Sequence, residues 1–73
     1  MAIIEITTDI TGTVWKVLKQ VGDTVEEDEP ILVLESMKME IPVAAPEYGV
    51  IREIVVKEGE TAPEGSVVAR IEA

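Results

Sequence analysis

The 73-residue chain contains no cysteine, no histidine and no phenylalanine. Without cysteine it can form neither disulfides nor thiolate metal sites, which fits a reducing compartment. Without histidine it lacks the residue that most often shuttles protons near neutral pH and most often ligates metals. Basic residues are scarce: six, against fifteen acids, for a net charge of −9. That excess repels phosphate backbones and anionic membrane surfaces, so neither nucleic acid nor a membrane is expected as a partner. Most of the acids read as a solvated, solubilising surface. The acidic run Asp23 to Glu29 lacks the alternating ligands and central glycine of a calcium loop, so no metal is expected there. Long apolar runs are missing too. Ile31 to Leu34 is far shorter than a membrane span, and Met1 to Ile6 has neither the basic start nor the apolar stretch of a secretory signal. A cytoplasmic protein, monomeric in isolation, is the expectation.

What the chain does have is branched aliphatic residues: eleven Val and nine Ile, with only three Leu. Such side chains lose rotamer freedom in helices and suit a pleated, half-buried surface. A domain of this size buries only about 60% of its unfolded surface, so the core must be thin. Trp15 and Tyr48 are the only aromatics, and Trp15, between Val14 and Lys16, reads as packing at the surface of the fold rather than as a ligand platform. The composition favours one all-β domain.

The chain also repeats itself. An offset of 37 carries Gly12 onto Gly49, Gly22 onto Gly59, Thr24 onto Thr61 and Glu35 onto Glu72. Apolar positions follow: Val14 onto Ile51, Val17 onto Ile54, Ile31 onto Val68, Leu34 onto Ile71, and Ile4 onto Ile41. The repeats run from about 2 to 36 and from about 39 to 73 within a single domain of residues 1 to 73. Gly22-Asp23 and Gly59-Glu60 supply turns, while Glu29-Pro30 and Ala45-Pro46 argue against helix. Strands are expected at Ile3–Thr7, Gly12–Leu18, Ile31–Glu35, Met39–Val43, Gly49–Val56 and Val67–Glu72. Two antiparallel sheets, one per half, would face each other across a flattened barrel or sandwich. If a pseudo-two-fold axis relates the halves, the hairpin at their junction has the chain ends, Met1 and Ala73, as its symmetry mate. Hairpin and ends should then lie at opposite ends of the molecule.

That junction is Glu35-Ser36-Met37-Lys38-Met39-Glu40. Lys38 is the only base between Lys19 and Arg52, set among eight acids, and Glu35 and Glu40 beside it would favour its ammonium form. A lysine in that setting is a poor nucleophile. A catalytic Schiff-base lysine would want the opposite setting, desolvated or near other cations. A two-residue turn at Met37-Lys38 would need positive φ at two non-glycine residues, a strain tolerated at functional sites. Strict alternation turns Met37 and Met39 away from Lys38. Two roles are open to them: closing the end of the core, and shaping recognition by enzymes that act on the lysine.

Met-Lys-Met between two strands at the centre of a repeat, with Ala45-Pro46, Gly49 and the Gly65 to Ile71 segment, resembles the biotinyl domains of biotin-dependent carboxylases. The resemblance covers nearly the whole chain and implies a biotinyl/lipoyl barrel-sandwich of minimal, free-standing length. It implies a non-catalytic biotin carboxyl carrier. Lys38 would be joined to biotin by a biotin protein ligase, and the arm would carry a carboxyl group between biotin carboxylase and carboxyltransferase sites. Met37 and Met39 would flank Lys38 as recognition residues, and Glu35, Ser36 and Glu40 would supply the hairpin context. Ser36 stands where such domains often carry alanine, a small-for-small change. The unbroken offset between Gly12 and Gly22 leaves no room for the protruding thumb of some bacterial carriers, and no Ala/Pro-rich linker precedes Ile3. The alternatives are a lipoyl carrier, on the same fold and lysine, with lipoate alone or with both groups accepted, and an unmodified protein-binding module. Lipoyl domains usually place an acid before the lysine; Met37 stands there, which favours biotin.

Overall fold

A computed structural model describes residues 2–73; Met1 lies outside the described residues. Those residues form eight strands and no helix: β1 (Ile3–Thr7), β2 (Gly12–Val17), β3 (Thr24–Val25), β4 (Pro30–Ser36), β5 (Met39–Ala44), β6 (Gly49–Ile54), β7 (Thr61–Ala62) and β8 (Val67–Glu72). Four of the six anticipated strands differ by one or two residues at an end. Leu18 falls outside β2 and Val55 and Val56 outside β6; Leu18 and Val55 each donate one last amide, to the Ile31 and Val68 carbonyls at 2.9 Å, before the chain runs on to the Gly22 and Gly59 turns. The two-residue strands β3 and β7 are additional; no alternation can register in so short a segment.

Two four-stranded antiparallel sheets face each other, in the orders β1-β8-β6-β3 and β5-β4-β2-β7. Contrary to the sequence expectation, a repeat is not a sheet. Each sheet takes two strands from each half, so the halves interlock and neither can bury its apolar face alone. A shift of 37 residues, forward for β1 and β3 and backward for β8 and β6, turns the first sheet into the second in the same order.

Register obeys the same offset. Ile4 pairs with Ile71 and Ile41 with Leu34; Val14 pairs with Leu34 and Ile51 with Ile71. Even the bulges correspond, between Val14 and Lys16 in β2 and between Ile51 and Glu53 in β6. At residue 28 the symmetry demands a left-handed backbone. Asp28 has φ 68° where its counterpart Gly65 has φ 81°, and aspartate is among the few side chains that tolerate this.

The core is wholly aliphatic. Ile31, Leu32, Leu34, Ile51, Val68 and Ile71 are fully buried, with Ile6, Val14, Val25, Val43 and the small residues Ala45, Ala62 and Ala69 completing the layer. Each large side chain so buried contributes roughly 1.5–3 kcal/mol. The chain ends close the first sheet: the Ala2 amide donates to the Ala73 carbonyl at 3.0 Å and the Ala73 amide returns the bond at 2.9 Å. This pair is the symmetry counterpart of Ser36 and Met39, which face each other at the head of the β4–β5 hairpin. The molecule measures 36 × 18 × 18 Å.

Candidate functional site

The head of that hairpin carries the candidate residues. β4 is an interior strand, paired to β2 on one side and β5 on the other, so its end is held firmly. Leu34 points into the core opposite Ile41; the next pair, Glu35 opposite Glu40, points out; Ser36 opposite Met39 closes the ladder. Two residues then make the turn. Met37 has φ 52° and Lys38 φ 65°, both left-handed, as the tight turn at this position anticipates. The handedness matches the twist of the two strands, which is why positive φ is adopted here despite the cost to residues with a Cβ.

Below the turn, Gly12 supports β4. A Cβ at this position would lie 2.9 Å from the Glu35 carbonyl oxygen and 3.3 Å from the Leu34 Cβ. Only a bare α-carbon lets β2 approach the root of the hairpin this closely. The recurrence of glycine at 12 and 49 was the sequence signal for this support, although sequence alone did not tie it to Glu35.

Lys38 is exposed, as are Glu35 and Glu40, and Ser36 is half-buried. Met37 is 92% exposed and Met39 63%, so neither closes the core. The carboxylates do not clasp the lysine either. Ion pairs among the described residues join Lys19 to Glu29, Arg52 to Glu72, and Arg70 to Glu5 and Glu53, and Lys38 takes part in none. A cavity of about 150 Å³ lies elsewhere, between residues 7–10 and 41–44, and no residue of the 35–40 segment lines it. The arrangement presents an exposed primary amine at the head of a two-stranded stalk, unpaired among the described residues. Such a site offers an amine that another enzyme can acylate.

A family model described as "Biotin-requiring enzyme" matches residues 2–71. The chain belongs to the biotin/lipoyl family. As a biotin/lipoyl-type carrier domain it is 40% identical over 62 residues to the biotin/lipoyl attachment protein of Bacillus subtilis, a match covering 85% of each chain. It is 45% identical over 60 residues to the dihydrolipoyllysine-residue acetyltransferase component of the pyruvate dehydrogenase complex of Corynebacterium glutamicum, covering 82% of this chain and 9% of that one. The structure superposes on Kluyveromyces lactis urea carboxylase with a TM-score of 0.93 at 32% identity, over 99% of this chain and 6% of that one. Proteins named for biotin and for lipoyllysine thus both stand among the relatives of this biotin/lipoyl carrier.

Proposed function

We propose that this carrier domain bears biotin on Lys38 and shuttles a carboxyl group between the biotin carboxylase and carboxyltransferase components of a biotin-dependent carboxylase. The observation that carries the reading is the Met37-Lys38 turn: an exposed amine, free of ion pairing among the described residues, held forward by a strained two-residue head. A biotin protein ligase must remove a proton from the Lys38 Nζ and supply an activated acyl group. The new amide forms between Nζ and the acyl carbon as the activating group departs. The charge of Lys38 is thereby lost, and stem plus valeryl chain span about 14 Å from bond lengths near 1.5 Å. What biotin supplies when bound is the reversible uptake of a carboxyl group. The residues of the chain hold the arm at one point and keep it away from the core, and tethering raises its effective concentration at both sites.

A lipoyl carrier is the second reading, favoured by the dihydrolipoyllysine-residue relative. Met37 in place of an acid before the lysine supports biotin over it. Intact mass and a streptavidin blot of the protein from its native host separate the two. A biotin-sized mass gain with streptavidin signal is expected; a lipoyl-sized gain without signal would overturn the biotin assignment.

A further inference from the structure

The two sheets share a backbone plan, so each serves as the internal control for the outer face of the other. On the first sheet, Glu5, Arg70 and Glu53 are neighbours across β1, β8 and β6. Arg70 bridges the two acids, at 3.2 Å to Glu5 and 2.6 Å to Glu53, and the bulge residue Arg52 pairs with Glu72. That face is saturated with ion pairs.

The corresponding positions of the second sheet, the one that carries the hairpin, are Pro42, Val33 and Lys16, with Trp15 in the bulge and Glu35 beside it. The bridging arginine is replaced by Val33 and the bulge arginine by Trp15, 45% exposed with the Lys16 ammonium 5.5 Å above its ring. Glu35 therefore has no counterpart to the Arg52–Glu72 pair. It faces Glu40 across the ladder, and among the described residues neither acid has an ion-pair partner. Two like charges directly opposite each other destabilise a sheet, and Trp15 leaves nearly half of a large apolar surface open to solvent.

We propose that this outer face, centred on Trp15, Val33 and Pro42 and edged by Glu35 and Glu40, is the surface on which the enzyme that charges the arm docks. The proposal rests on the reading of Lys38 above and deepens it. The partner patch is apolar at its centre and carries arginine or lysine at its edge, which relieves the Glu35–Glu40 repulsion and lays a flat apolar area against Trp15. Tryptophan at the centre of a patch is the side chain on which binding energy most often concentrates. The location suits the task, since β4 and β5 supply both the hairpin and this face. An enzyme seated here lies within the arm's reach.

The test transplants the saturated face. Trp15→Arg, Lys16→Glu, Val33→Arg and Pro42→Glu rebuild on the second sheet the pairs of the first, with Glu35 placed to accept from the guanidinium that Trp15→Arg introduces. The probe is the biotin carboxylase of the host, with the biotinylated chain as carboxyl acceptor. The apparent KM is expected to rise about tenfold or more with kcat nearly unchanged. In the wild type it rises with salt, because charge steers the encounter. Trp15→Arg alone, read the same way, covers failure of the fourfold variant to fold, and Arg52→Trp on the opposite face should leave KM unchanged. An unchanged KM in the transplant, or an equal rise in Arg52→Trp, overturns the proposal. Intact mass of the native chain keeps the two readings apart. Biotin on the chain with an unaltered KM sinks the docking face alone. Lipoate instead of biotin sinks the biotin reading alone, and the same variants are then assayed with the host's 2-oxo acid dehydrogenase. An unmodified Lys38 sinks both.

Discussion

Gly12 lies under the carbonyl of Glu35 so closely that a β-carbon at residue 12 would sit 2.9 Å from that oxygen. The obstacle is backbone, held in the ladder between β2 and β5, and cannot swing away as a flexible side chain could. Gly12→Ala is therefore expected to cost about 1–3 kcal/mol, the usual penalty for forcing a methyl group into a packed site. For a domain of this size each kcal/mol lowers the melting temperature by about 4–8 °C. Gly49→Ala, whose Cβ would meet the Glu72 carbonyl oxygen at 2.8 Å, should cost a similar amount. Thermal denaturation of both variants checks this; a neutral Gly12→Ala would show that β2 can retreat from the hairpin.

The strain in the turn carries a second expectation. Asparagine adopts the left-handed conformation of Met37 far more readily than methionine does. Met37→Asn should stabilise the fold by about 1 kcal/mol and, if the proposed ligase reads the exposed thioether, slow the loading of Lys38. Melting temperature and ligase kcat/KM measured on the same preparation test the trade. A variant that is both more stable and loaded as fast would remove Met37 from the recognised surface.

Much of this was legible in the chain. The offset of 37 and the β-branched composition gave the all-β fold, and a two-residue turn between β-runs gave positive φ at Met37 and Lys38, because those signals are local. The interlocking of the halves was not legible: alternation says which residues face inward but not which strands become neighbours. Nor was the fate of Met37 and Met39. An apolar side chain reads as core until its place beyond the last core residue of β4, Leu34, is known. The Arg70 and Arg52 ion pairs depend on cross-strand register, which sequence separation conceals. The β3 and β7 strands were missed because two residues cannot show a period.

Lys19 and Glu29 give a dependence on pH. Hydrogen bonding from Lys19, 2.6 Å away, holds the Glu29 carboxyl below its usual range, and the Glu26 amide at 2.9 Å works in the same direction. The same hydrogen bond holds the Lys19 ammonium above its usual range. A carboxyl lowered on folding stabilises above its unfolded pKa, about 4, and that contribution disappears as pH falls through the still lower folded value. An ammonium raised on folding stabilises below its unfolded pKa, about 10.4, and its contribution is lost as pH rises through the higher folded value. The pair should give a flat optimum between these limits, small in size because both groups touch solvent. Urea midpoints across pH, for the wild type and Lys19→Met, measure it. Loss of the acid-side slope specific to the wild type is expected in the variant; an unchanged slope would assign it to other carboxylates.

The most direct measurement is tandem mass spectrometry of the peptide spanning Glu35 to Glu40, taken from the protein as its host makes it. Biotin on the Lys38 Nζ is the expected result, with Lys16, Lys19 and Lys57 unmodified and all modification lost in Lys38→Arg, which keeps the charge. A Lys38 found bare in the native protein, or biotin on another lysine while Lys38→Arg still supports carboxyl transfer, would contradict it.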